Sequence, residues 1–149
     1  MKLVLVASSG GHLQQLLWMR PFWEPHERVF VTFDTEDARA HLVGERWIGA
    51  SHPTQRHVPN LARNLALARR VLAEELPDAV VTTGAGVGVP FVWEGWRRRV
   101  PTVFVETFDR IRAPSLSGRL VSPVVDLFVV QRELQLGFHP RAVWFGPVR

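Results

Sequence analysis

Residues 2–12 read KLVLVASSGGH, and this stretch decides the fold. From Leu3 to Ala7 every side chain is apolar, so the segment has no polar face to turn to water; strands of this kind are buried on both sides. Ser8-Ser9-Gly10-Gly11 breaks the run, and from His12 the apolar positions Leu13, Leu16 and Leu17 return on one helical face. A strand, a glycine-rich turn and a helix start, in that order, open an α/β unit with a parallel sheet.

The same alternation continues along the chain. Arg28–Phe33 reads as a second strand, and the acids and threonine of Asp34-Thr35-Glu36-Asp37 favour a helix start running to about Val43. Arg46–Ala50 is a weak third strand. A long helix begins near Asn60, with Leu61, Leu65, Ala68 and Leu72 stepping by four, three and four, and Pro77 ends it. Asp78–Thr82 is a fourth strand, followed by a second glycine-rich turn, Thr83-Gly84-Ala85-Gly86-Val87-Gly88, and a segment ending in Arg97-Arg98-Arg99. Pro101–Val105 is a fifth strand, helical signal resumes at Ser115–Val121, and Asp126–Val130 and Ala142–Phe145 complete the series.

Strands apolar on both faces and separated by helices predict an α/β fold with a Rossmann-like, doubly wound, mostly parallel sheet. In such sheets ligands bind outside the carboxyl ends of the strands. Both glycine turns belong there, as does Glu106-Thr107-Phe108-Asp109-Arg110 after strand five. Three polar segments are therefore expected to meet in one cleft.

The 149 residues suit one domain spanning 1–149, and a chain of this size buries roughly 68–70% of its unfolded surface. There is no cysteine, which excludes a disulfide framework, a thiolate metal site and a cysteine nucleophile. The formal charge is +4, and Lys2 is the only lysine, so the basic residues are otherwise arginine. A modest positive excess suits phosphate-bearing ligands or an anionic membrane surface. No apolar run reaches the about 20 residues of a membrane span, and the N-terminus lacks the pattern of a signal peptide. No metal site is expected, since His52 and His57 lack ligand spacing and no HExxH occurs. A nucleic-acid reading of the arginine triplet has no recognition motif to support it.

Several residues carry chemistry. Ser9, Gly10 and Gly11 allow a phosphate to approach backbone N–H groups at a helix start. His12 is a candidate general base or phosphate donor, with helix capping or a solvated surface position as the plain alternatives. Neither glycine turn has a Walker lysine, and the spacing does not meet the dinucleotide fingerprint, although Asp34 stands where a ribose-binding acid would. Of the pair Glu106 and Asp109, Glu106 follows the strand directly and is the better candidate to orient a substrate hydroxyl or act as base. Trp18, Phe22 and Trp23, and Phe91, Trp93 and Trp96 beside Arg97, have the composition of an interfacial membrane or partner patch, or of core packing with a solvated helix end.

Taken together, SSGGH, FVTFDTEDAR, PTQRHVPNLARN, TTGAGVGVPF and VETFDRIRAPSLSGRLVSPVVDLFVVQ resemble the PssD/CpsF family, bacterial counterparts of the Alg fourteen subunit, over Met1 to about Pro147. The resemblance implies the amino-terminal half of a MurG-like GT-B glycosyltransferase split into two chains. It implies an inverting transfer of a sugar from a UDP-sugar to a polyprenyl-diphosphate-linked saccharide in exopolysaccharide or capsule synthesis. The partner would be a PssE/CpsG-type, Alg thirteen-like chain holding most UDP-sugar contacts, and no cofactor is required. Ser9, Gly10, Gly11 and His12 would line the acceptor site, Thr83, Gly84, Ala85 and Gly86 would form its second loop, and Glu106 would face the same cleft. Eukaryotic members begin with a transmembrane helix and this sequence does not, so a cytoplasmic, peripheral attachment to the inner face of the plasma membrane is expected. Two rivals remain: an accessory subunit that only activates its partner, and a free-standing nucleotide-binding oxidoreductase or epimerase using Asp34.

Overall fold

A computed structural model describes residues 1–148. Seven parallel strands form one sheet: β1 (Lys2–Val6), β2 (Glu27–Phe33), β3 (Trp47–Ala50), β4 (Ala79–Thr82), β5 (Thr102–Val105), β6 (Leu127–Val130) and β7 (Val143–Trp144). Their spatial order is β3-β2-β1-β4-β5-β6-β7. The chain winds outward from β1 to β3, returns to β4 beside β1, and winds the other way. The reversal lies between β1 and β4, whose register pairs Leu3 with Ala79 and Val6 with Thr82. The expected doubly wound sheet is present.

The pleat divides the core by residue parity. Leu3, Leu5, Phe30 and Val81 face α1 (Gly11–Trp18), α2 (Arg20–Trp23) and α3 (Glu36–His41), meeting Leu13, Leu16, Trp23 and Ala38. Val4, Val6, Val29, Val31 and Val80 face the other way, onto Ala68, Val71 and Leu72 of α4 (Val58–Glu75) and Phe91 of α5 (Gly88–Arg98). Further along that second face, Phe104 and Phe128 pack with Val92 and with Val121 of α6 (Leu116–Val121). Successive β-branched and leucine side chains thus serve opposite layers, which is why the strands read as unbroken apolar runs.

Two aromatics expected in a surface patch belong to this core. Trp23 is buried, its indole Nε1 donates to the Leu16 carbonyl at 2.8 Å, and its ring meets Phe30 edge-on at 5.4 Å. Phe91 is fully buried because it falls with Gly88, Val92 and Gly95 on the sheet-facing side of α5. Trp93 and Trp96 take the outer side of the same helix, and Phe22 stays exposed on α2. The long helix begins at Val58, two residues earlier than the apolar steps suggest, because the His57 ring accepts from the Asn60 N–H at 3.1 Å and Pro59 suits the first turn. A short 3-10 turn, Glu133–Gly137, is an element that periodicity does not predict.

Candidate functional site

At the point where the sheet reverses, the turns after β1 and β4 are held together by two reciprocal bonds. His12 Nδ1 lies 2.8 Å from the Thr83 carbonyl, and the Thr83 hydroxyl donates to the His12 carbonyl at 2.7 Å. A carbonyl only accepts, so Nδ1 carries the proton and the neutral imidazole keeps its lone pair on Nε2. That is the tautomer a general base needs. Gly84 takes φ +101°, a conformation that favours glycine, and a Cβ there would also stand 3.3 Å from Phe104. Ala85 (φ +61°) continues the left-handed turn, and Gly86 lies against Thr54 so closely that a side chain there would collide with it.

The first turn presents donors. Gly10 takes φ +75° before α1, and among the described residues no side chain caps that helix. The Gly10 N–H is bound by Asp37 Oδ2 at 2.9 Å, which leaves the N–H groups of Gly11, His12 and Leu13 without intrahelical partners at the positive end of the helix dipole. Asp37 itself is held below the usual carboxylate range, first by the Thr35 hydroxyl and also by the Gly10 amide. It positions the turn and was not singled out in the sequence. Ser9 is half-buried at the same turn.

A cleft of ≈ 610 Å³ opens beside this junction, lined by Gly11, His12, Gln14, Gln15, Trp18, Thr107, Phe108, Asp109, Gln131 and Val148. Its volume is that of a small-molecule site. The segments after β1 and β5 meet here as expected, whereas Thr83, Gly84, Ala85 and Gly86 do not line the cleft; the turn after β4 reaches it only through the bonds between Thr83 and His12. Trp18 borders this cleft, whereas Trp93 and Trp96 belong to the outer face of α5. Gln131 is the side chain that sequence reasoning missed. Although 2% exposed, it donates from Nε2 to Gln15 Oε1 and to the Glu106 carbonyl, joining β6, α1 and the β5 loop. Nearby Gln135, fully buried, accepts from the Gln131 and Arg132 N–H groups and donates to Thr107 and Arg110 carbonyls.

Glu106 does not face the cleft. Its carboxylate is 2% exposed and turned beneath the loop, where Oε2 accepts from the Ser115 N–H at 3.1 Å and the Ser115 hydroxyl at 3.0 Å, and lies 3.5 Å from His139 Nε2. Burial pushes the His139 imidazole below its usual range, against the pull of Glu106. Gly118 leaves room for this arrangement, since a Cβ there would meet Glu106 Oε2 at 2.7 Å. The expected catalytic carboxylate is therefore a buried anchor for the 107–115 segment, and the acid at the cleft wall is Asp109. Asp34 is also committed: Arg39 Nε donates to it at 2.6 Å, and that partner holds its pKa below the usual range.

An all-parallel sheet with a glycine-rich crevice at its switch point is a Rossmann-like, doubly wound architecture, and solved structures share it. The chain superposes on Acinetobacter baumannii MurG with a TM-score of 0.74 at 13% identity, over 89% of this chain and 42% of that one. UDP-N-acetylglucosamine 2-epimerase from Rickettsia bellii gives 0.75 at 14% identity, over 99% and 45%. These likenesses concern the fold. The family is shown by sequence: residues 26–148 match the family described as "Oligosaccharide biosynthesis protein Alg14 like", and the chain belongs to it. The protein named UDP-N-acetylglucosamine transferase subunit ALG14 of Eremothecium gossypii is 34% identical over 116 residues, covering 72% of this chain and 50% of its own. The rat protein of the same name is 23% identical over 177 residues, covering 98% and 82%, and the Saccharomyces cerevisiae one is 49% identical over 45 residues, covering 30% and 19%. The chain thus spans half or less of the length of these two fungal relatives.

Proposed function

We propose that this chain is the acceptor-binding subunit of a two-chain inverting glycosyltransferase. The enzyme would move a sugar from a UDP-sugar to a polyprenyl-diphosphate-linked saccharide in exopolysaccharide or capsule synthesis, as the PssD/CpsF-type resemblance implies. The relatives' names as subunits of a UDP-N-acetylglucosamine transferase support both the donor class and a separate partner. That partner, of PssE/CpsG or Alg thirteen-like type, would hold the UDP-sugar, which is a substrate; the chain has no cofactor of its own in this reading.

The observation that carries the proposal is the His12–Thr83 junction at the mouth of the cleft. The free amides of α1 and the turn at Ser9, Gly10 and Gly11 receive the acceptor diphosphate, backed by the Thr83–Gly86 turn. His12, with Nδ1 committed to Thr83, takes the acceptor hydroxyl proton on Nε2 while that oxygen bonds to the anomeric carbon of the donor sugar. The bond from that carbon to UDP breaks on the opposite face, and UDP leaves with its charge met by the partner. Glu106 acts in this scheme only by holding the loop.

Attachment to the cytoplasmic face of a membrane fits the outer surface of α5 and α6. Trp93 and Trp96 pack edge-on at 5.8 Å, the Trp93 Nε1 donates to the Leu120 carbonyl, and Leu116 and Leu120 are exposed nearby with Arg119, while the Arg97 guanidinium is engaged by Glu94. The contact proposed is peripheral, exposed rings beside a guanidinium group being suited to a membrane interface; among the described residues no helix is long and apolar enough to cross a bilayer.

The test is reconstitution. Transfer from a UDP-sugar to a polyprenyl-diphosphate-linked acceptor is measured with this chain, the partner chain, and both. Activity only in the mixture is the expected result; full activity from this chain alone refutes the split enzyme.

A further inference from the structure

The two outer strands of the sheet are finished differently. β7 is only two residues long, and the chain beyond it is tied back by the Val148 N–H, which donates to Gln131 Oε1 at 3.2 Å. β3, with the sequence WIGA, forms the opposite edge and pairs on one side only, with β2. In a parallel ladder alternate residues turn their main-chain groups to the same side. The Arg46 carbonyl accepts from the Phe30 N–H, so Ile48 and Ala50 continue toward β2 while Trp47 and Gly49 turn outward. Outside the ladder, no hydrogen bond engages the N–H or C=O of either among the described residues.

An open row of this kind is usually guarded by lysine, proline, a bulge or an inward-pointing charge. Trp47–Ala50 carries none of these. The charges around it are neutralised in pairs, Asp34 with Arg39, Arg28 with Glu45 and Arg46 with Glu75. Gly49 is exposed, and Trp47 and Ile48 are half-buried.

Such an edge accepts another strand, and its own side chains indicate which one. Laid antiparallel about a two-fold axis through Ile48, two copies of β3 set Trp47 opposite Gly49 and Ile48 opposite Ile48. Trp47 and Gly49 then exchange both main-chain bonds with the facing copy. Their side chains share one face of the sheet, so the indole of one copy lies over the glycine of the other, where no Cβ stands in its way. The fold itself does not require that glycine. Gly49 lies outside the left-handed region, and a Cβ there would meet only Asp34 Cβ, at 3.7 Å. On the other face Ile48 meets its counterpart with Cα atoms about 4.5 Å apart, the spacing of a non-hydrogen-bonded pair.

We propose that β3 is a self-association edge, through which two copies of this chain join their seven-stranded sheets into one. Open sheets of that width occur in large α/β proteins. The axis stands across the sheet, so α4, α5 and α6 of both copies lie on the same side. Exposed Trp93 and Trp96 of each copy can then meet one membrane, in keeping with the contact proposed above. The two clefts open at opposite ends and neither is covered.

The experiment is sedimentation velocity of the full chain over a concentration series. One short strand per copy buries less than a standard interface, so a dimer with a roughly micromolar dissociation constant is expected. Gly49→Lys raises that constant tenfold or more, and the variant melts with the wild type where both are monomeric, since the added Cβ has room. Amide exchange followed by NMR identifies the edge. Above the dissociation constant the Trp47 and Gly49 amides exchange at least threefold more slowly, while the Ile48 amide, already bonded to β2, keeps its rate. A chain that stays monomeric up to its solubility limit overturns the proposal. So does a dimer that Gly49→Lys leaves intact, or one in which the Trp47 and Gly49 amides gain no protection, because the second copy then sits elsewhere.

Discussion

The two ends of the sheet treat charge in opposite ways. At the amino ends of the strands, buried Glu75 is clasped by Lys2 Nζ at 2.9 Å and by Arg46, and buried Glu94 by Arg97 at 2.5 Å and Arg98 at 2.6 Å. Arg97 first, and Arg98 after it, hold Glu94 down to a pKa of about 2. At the carboxyl ends, helix amides, the His12 Nε2 lone pair, three glutamines and Asp109 surround an open cleft. One end neutralises its carboxylates within the chain; the other keeps its polar groups available to something outside it. Glu106, Asp34 and Asp37 are exceptions, carboxylates at the open end that are engaged within the chain as the closed end engages its own.

Three substitutions test this division, in falling order of effect. His12→Ala is expected to lower transfer by the reconstituted pair by about 10²–10⁴-fold, the usual contribution of a positioned base, and to cost about 1 kcal/mol of stability through the lost bond to the Thr83 carbonyl. Turnover near wild type would remove His12 from the chemistry and blur the contrast between the ends. Glu106→Ala takes partners from the Ser115 N–H and hydroxyl in a dry site, and is expected to cost about 2–3 kcal/mol in denaturant unfolding. The pH–rate profile of the active pair should keep its shape; a lost ionisation would return Glu106 to the catalytic role expected from sequence. Glu94→Gln is the smallest and concerns acid. A carboxylate depressed in the folded chain contributes stability that is complete above its unfolded pKa, near 4.5, and is lost as pH falls toward about 2. Acid unfolding followed by circular dichroism should show the wild type losing about 1–2 kcal/mol more than Glu94→Gln across that interval, the exposed arginines limiting the gain. Parallel curves would mean that the pair contributes no net stability.

The strands were legible because burial on both faces leaves a plain sign, an unbroken apolar run, and the two glycine turns announced where the ligand side lies. The direction of individual side chains was less legible. Trp18 and Trp23 look alike in the sequence, yet the α1 stripe Gly11–Gln14–Gln15–Trp18 already assigns Trp18 to the cleft side. Trp23 is buried because the tight turn at Met19 delivers its indole to the Leu16 carbonyl, a tertiary event. Phe91 was readable from its spacing with Gly88, Val92 and Gly95 and was instead grouped with its exposed neighbours. Glu106 and Gln131 carry no local signal. Which way they turn depends on Ser115, His139 and Gln15, from 9 to 116 residues away in the chain.

The closed end has a practical corollary for anyone wishing to mark the molecule. Its single primary-amine side chain, Lys2, is paired with Glu75 and Glu27, so acylating reagents should react slowly there. With no native thiol to compete, one cysteine introduced on the rim of the cleft becomes a unique address for a fluorophore or spin label that senses occupancy.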